Sequence, residues 1–161
     1  MKVFRPGEKI KHSSVISIFL AGSIDMGRAV KWQQRFEDEF EGFEIDVDLY
    51  NPRGRETYDE ADQSMAHESF EKQVDWEQHG LETADLIIMY FDKDAMSPIS
   101  LLELGQFAGA RNMIVCCSDG YWRKGNVDYI TKKYHIPTAK DLDELIIKTK
   151  DYLKFVKTND A

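Results

Sequence analysis

Cysteine is scarce in this chain: two among 161 residues, Cys116 and Cys117, side by side. A disulfide between neighbours is strained, and with no further sulfur a metal cluster lacks ligands, so both read as core side chains. The four histidines, His12, His67, His79 and His135, show no metal-ligand spacing and flank no nucleophile pattern. No metal site is expected, and no histidine is given a catalytic role. Basic excess is missing too. Lys and Arg number 21 against 29 Asp and Glu, for a net charge of -8, and the pI is about 5.0. That balance argues against nucleic acid or another polyanion as partner and favours a small, weakly charged ligand. No apolar run approaches the roughly 18 residues of a membrane span. The opening MKVFRPGEKIKHSS is basic but has neither the apolar core nor the cleavage pattern of a secretory signal, so a cytoplasmic location is expected. Repeats, low-complexity tracts and interdomain linkers are lacking, and residues 1–161 are expected to form one domain.

What is present is an alternation of two periodicities. Val15 to Ala21 (VISIFLA) is a β-branched, apolar run closed by Gly22, a buried strand ending in a tight turn. Val30, Trp32, Phe36 and Phe40 recur at near-helical spacing before Gly42, which gives a helix over Arg28 to Phe40. Phe43 to Tyr50 alternates apolar and acidic residues, the pattern of a strand with one wet face near a sheet edge. Asn51, Pro52 and Gly54 stop it, and Arg53 to His67 is polar without clean period, a long loop of the kind that often covers a site. Ser69 to Leu81 is an amphipathic helix whose stripe of Phe70, Val74 and Leu81 includes Glu77. Ala84 to Phe91 (ADLIIMYF) is the most apolar strand and belongs mid-sheet. A helix over Ile99 to Arg111 follows, with Ser97 as N-cap and Pro98 in its first turn. Met113 to Ser118 reads as a strand, Tyr121 to Lys132 as loop and short helix, Tyr134 to Ile136 as a short strand, and Asp141 to Val156 as a closing helix. Strands alternating with helices give an α/β fold with a parallel sheet covered on both faces. Ligands in such sheets bind beyond the C-terminal strand ends, where the strand order reverses. The relevant loops are Gly22 to Gly27, Asn51 onward, Asp92 to Pro98, and the one after Ser118.

Those loops hold the unusual residues. AGSIDMG is neither a phosphate-binding Walker loop nor a dinucleotide fingerprint, and its glycines serve either a ligand or only the turn. Glu103 stands among Leu101, Leu102, Leu104, Phe107 and Ala108, a carboxylate on an otherwise apolar helix. Near the helix start it would point into the crevice with its pKa lowered by the helix N-terminus and serve as a nucleophile; otherwise it lies on an exposed polar stripe. From the preceding helix only one of Glu77 and Asp75 can face the same crevice, because residues two apart diverge by about 200°. The apolar stripe favours Glu77. Paired carboxylates are the equipment of glycosidic bond cleavage, one attacking the anomeric carbon and one handling the leaving-group proton.

IFLAGSIDMG, DWE before ADLIIMYF, SPISLLELG and WRKGNVDYI, in that order from Ile16 to Ile136, resemble the nucleoside 2-deoxyribosyltransferase family. The resemblance implies a flavodoxin-like three-layer sandwich with a five-stranded parallel sheet. It also implies transfer of 2-deoxyribose between nucleobases, as in nucleotide salvage, without cofactor or metal. Glu103 matches the glutamate that attacks C1′ to form a deoxyribosyl-enzyme. Glu77 matches the acid that protonates the departing base better than Asp75 does. Gly22, Ser23 and Asp25 fall in the ligand loop, and Ser97 where the family often has an aspartate bonding the 5′-hydroxyl. Phe19 replaces a tyrosine often near the nucleophile. Asn126 resembles the asparagine that a neighbouring subunit supplies to the sugar, implying a homo-oligomer with shared sites. The related 2′-deoxynucleoside 5′-monophosphate N-glycosidases carry serine at the Ser97 position, which makes a nucleotide hydrolase the first alternative, although Asp25 stands where those enzymes tend to have arginine. A non-catalytic nucleotide-sensing module is the second.

Overall fold

The computed structural model describes residues 1–11, 13, 15–24, 30–54 and 64–159. The apolar runs become strands and the amphipathic runs become helices, in the order β1 (Lys2–Phe4), β2 (Ile16–Gly22), α1 (Trp32–Phe40), β3 (Val47–Tyr50), α2 (Glu68–Thr83), β4 (Leu86–Phe91), α3 (Pro98–Phe107), β5 (Met113–Cys117), α4 (Lys124–Lys133), β6 (Thr138–Ala139) and α5 (Leu142–Asn159). All pairings are parallel, and the strands lie in the order β1-β3-β2-β4-β5-β6. Without β1 this is the flavodoxin-like order, whose switch point falls between β2 and β4. Among the described residues, no helix is long and apolar enough to cross a membrane.

Side chains alternate across the strands and divide the core into two layers. Phe19, Ala21, Ile87, Met89 and Phe91 pack under α2, α3 and α4, whereas Ile18, Leu20, Ile88, Ile114 and Cys116 pack under α1 and α5. The same alternation sends Cys116 and Cys117 into opposite layers, and both thiols are free and buried. Burial pushes them up to about 12 and about 11, far from the thiolate that reactivity requires.

Three expectations are corrected. The sheet has six strands, because Lys2–Phe4 pairs with Asp48–Tyr50 and takes the edge; three residues carry too little period to be legible as a strand. As a result β3 is an inner strand without the wet face its alternation suggested. Asp48 is buried and accepts a hydrogen bond from the Ser13 hydroxyl at 2.6 Å. The last strand lies after Pro137 rather than before it. His135 turns the chain with φ +55° at the end of α4, the Ile136 N–H donates to the Thr131 carbonyl, and the Pro137 carbonyl accepts from Val115.

Candidate active site

At the switch point β2 ends in Gly22 with φ +132°, and a Cβ there would stand 2.2 Å from the Tyr90 carbonyl oxygen. Only glycine lets β2 run this close to β4 in that conformation. The Ser23 N–H then donates to the Tyr90 carbonyl at 2.9 Å, and the Trp32 indole donates to the Ser23 carbonyl at 3.1 Å. So fixed, the fully buried Ser23 hydroxyl accepts the Asp92 N–H at 2.9 Å and lies 2.6 Å from the Ser97 hydroxyl.

Ser97 precedes Pro98 and α3, as a helix start requires, but its side chain does not cap the helix. It adopts φ +47°, ψ +49°, a left-handed conformation rare for a non-glycine residue, and turns its hydroxyl to Ser23 instead. The buried faces of α3 are Ser100, Glu103, Leu104 and Phe107. Ser100 stands one turn before Glu103, and this buried hydroxyl was missed in the sequence, where only the i, i+3 spacing could have signalled it.

Glu103 is 7% exposed. Among the described residues no donor is hydrogen-bonded to its carboxyl. Burial pushes that carboxyl up to about 8, and the charge of Glu77 adds to the rise. The expectation of a lowered pKa is thus reversed. The helix-terminus effect fades within the first turn, whereas Glu103 sits in the second, where desolvation dominates. The bland alternative of an exposed stripe is excluded by the same burial.

Glu77 and Asp75 separate as their helical angle demands. Asp75 is exposed, whereas Glu77 is partly buried on the inner side of α2 and accepts a hydrogen bond from the Gln73 amide at 3.0 Å. Burial raises the Glu77 carboxyl, and the Gln73 donor partly opposes the rise. α2 is held close to the sheet because Gly80 leaves room for the Phe19 ring, which would lie 2.7 Å from a Cβ there. Phe19 itself is fully buried and also meets Trp76 at 6.2 Å between ring centroids. Its place is under α2, in the packing that carries Glu77.

Asn126 is exposed on α4, in a groove of about 320 Å³ that it lines with Leu101, Leu104, Gly105, Arg123 and Ile130. Glu103 does not line that groove. Asp25 and Gly27 lie outside the described residues. The structure therefore brings Gly22, Ser23 and Ser97 together at the switch point, sets Glu103 near enough to Glu77 to feel its charge, and places Asn126 on the outer surface. No group of three or more His, Cys, Asp or Glu able to hold a metal occurs among the described residues.

This fold defines a class, the flavodoxin-like α/β proteins. The comparison with known families narrows it. The profile described as "Nucleoside 2-deoxyribosyltransferase like" matches residues 15–121, two-thirds of the chain, and the protein belongs to that family of enzymes, which transfer or hydrolyse at N-glycosidic bonds. The match holds Glu77, Ser97 and Glu103 and ends before Asn126. No curated protein matches. Among solved structures the chain is similar to a conserved protein from Enterococcus faecalis V583, at 12% identity and a TM-score of 0.61 over 86% of this chain and 99% of that one. It is also similar to the CMP N-glycosidase BcmB of Clostridium botulinum, at 18% identity and a TM-score of 0.48 over 84% and 98%. At such identities the first likeness speaks to the fold alone.

Proposed function

We propose that this enzyme transfers 2-deoxyribose between nucleobases, with Glu103 as nucleophile and Glu77 as acid and base. The observation that carries the reading is Glu103 itself: a carboxyl 7% exposed, with no hydrogen-bond donor among the described residues, and close enough to Glu77 to feel its charge. A structural carboxylate in such a place would hold a cation or a donor. One left without either is kept for a ligand.

The ionised Glu103 oxygen attacks C1′ of a 2′-deoxynucleoside as the C1′–N bond breaks, and the proton held on Glu77 goes to the departing base nitrogen. The nitrogen of a second base then attacks C1′, the ester bond to Glu103 breaks, and the proton returns to Glu77. The reaction needs no cofactor. Burial raises both carboxyls, and the charge of Glu77 adds to the rise of Glu103. Before attack the proton must sit on Glu77, although burial favours it on Glu103, so substrate must shift it across. Ser23 and Ser97 are assigned to the sugar, and Asn126, facing outward, to the site of a second copy in a homo-oligomer.

A second reading has its own support. Two buried hydroxyls stand at the N-terminus of α3, a place suited to an anion, which favours a 5′-monophosphate substrate and hydrolysis by water. One experiment separates the two. The protein is incubated with deoxyinosine plus adenine and, separately, with dIMP, and products are followed by chromatography. Deoxyadenosine that disappears with Glu103→Ala is the expected result. Hypoxanthine arising only from dIMP would assign the hydrolase instead, and no product from either would sink both readings.

A further inference from the structure

The segment after β5 makes a contact that the proposed chemistry does not use. The Tyr121 hydroxyl and the Trp122 indole N–H both donate to the Met96 carbonyl, at 2.7 and 2.9 Å. Tyr121 is buried against Phe91, with centroids 5.1 Å apart, and the Arg123 guanidinium lies 4.2 Å over the Trp122 ring. Both lone pairs of one carbonyl are thereby occupied by rigid aromatic donors.

That carbonyl belongs to the peptide unit joining Met96 to Ser97. Its orientation fixes the left-handed φ of Ser97, a conformation that a serine does not hold unaided. If the peptide rotated to the ordinary region, both donors would lose their acceptor and the Ser97 hydroxyl would leave Ser23. With the Asp92 N–H already donated to Ser23, the two hydroxyls have two protons and one mutual hydrogen bond, so one proton remains to donate elsewhere. Either hydroxyl can donate to the other; with Ser23, the fully buried one, donating to Ser97, the chain runs from Asp92 N–H to Ser23 to Ser97 and leaves the slightly exposed Ser97 hydroxyl as a donor at the start of α3. Each bond in such a chain strengthens the next.

We propose that Tyr121 and Trp122 are positioning residues that hold Ser97 in its left-handed conformation, so that its hydroxyl donates to the 5′-oxygen of the substrate. The inference rests on the reading of the site as a nucleoside site. Neither aromatic residue touches substrate; both act through the Met96–Ser97 peptide.

The test compares 2′-deoxyadenosine with 2′,5′-dideoxyadenosine as glycosyl donors for wild type, Trp122→Phe, the Tyr121→Phe/Trp122→Phe double variant and Ser97→Ala. Trp122 is on the surface, so Trp122→Phe keeps the fold. The expected result is that the preference in kcat/KM for the 5′-hydroxylated donor falls about fivefold in each variant, the worth of one hydrogen bond, while Trp122→Phe and the double variant use the 5′-deoxy donor as wild type does. Adding Trp122→Phe to Ser97→Ala should cost nothing more. Equal losses on both donors, or none on either, would overturn the proposal and leave a purely structural clamp. If the wild type turns over neither donor, the nucleoside reading fails first. Calorimetric binding of the two compounds then decides the clamp, which falls if wild type does not prefer the 5′-hydroxyl or if Trp122→Phe keeps that preference.

Discussion

Two residues show how far single positions control this site. Glu103 binds a proton in the folded chain up to about pH 8 but releases it near 4.5 when unfolded. Between those values the folded state holds a proton that the unfolded state lacks, so stability is full below 4.5 and falls as pH rises toward 8, by on the order of 1.4 kcal/mol per pH unit. Glu103→Gln removes the titration. Its melting temperature should exceed that of wild type by a margin that grows between pH 5 and 8, by roughly 3–6 °C per pH unit for a chain of this size. A margin independent of pH, measured by differential scanning calorimetry, would show that Glu103 ionises freely in the fold. Gly22 is the second case. A methyl group there meets backbone rather than a movable side chain, at a φ that L residues rarely adopt. Gly22→Ala should therefore cost about 2–5 kcal/mol, combining overpacking with backbone strain, and should be seen as a lower denaturant midpoint with an unchanged slope.

At the scale of elements, α2 carries one carboxyl and α3 the other, and each helix tunes its own. On α2 the i, i+4 spacing lets the Gln73 amide donate to Glu77, which favours the charged form of Glu77 against the effect of burial. Gln73→Leu removes that donor, so the Glu77 midpoint should move upward in a carbon-13 carboxyl titration. An unmoved midpoint would mean that the amide does not hold Glu77 in solution. On α3 Pro98 starts the helix where the chain leaves the left-handed Ser97. Gln106 of α3 donates to Gln78 of α2 at 2.8 Å and ties the two helices together.

For the whole molecule, the sheet order matters most. Crossing from β2 to β4 places the Gly22–Ser23 turn beside the β4–α3 loop, so residues 74 positions apart in sequence share one hydrogen bond. Asn126, by contrast, faces away on α4 with exposed Tyr129 and Trp122 nearby in sequence. If a second copy supplies Asn126 to the site, then Glu103→Ala and Asn126→Ala proteins, each inactive alone, should regain activity on mixing and exchange, because one intact site in the mixed oligomer holds both native residues. Up to about a quarter of the wild-type rate is the expectation for random pairing into a two-site dimer. No recovery, with mixed oligomers demonstrated by native mass spectrometry, would remove the shared-site reading.

Much of this was legible in the chain itself. Period-2 and period-3.6 patterns belong to backbone geometry, so β2, β4, β5 and the helices α2, α3 and α5 could be read directly. That Glu77 and Asp75 point apart followed from helical angle, and the apolar stripe favoured Glu77 as the inner of the two. What only the tertiary structure decided depends on distance between segments remote in sequence. The three-residue β1 exists because β3 offers it an edge, and the Ser23–Ser97 pair exists because two loops meet at the switch point. The raised carboxyl of Glu103 has the same origin: the local helix dipole argued for a lowered pKa, and the burial that overrode it is supplied by the packing of the whole fold.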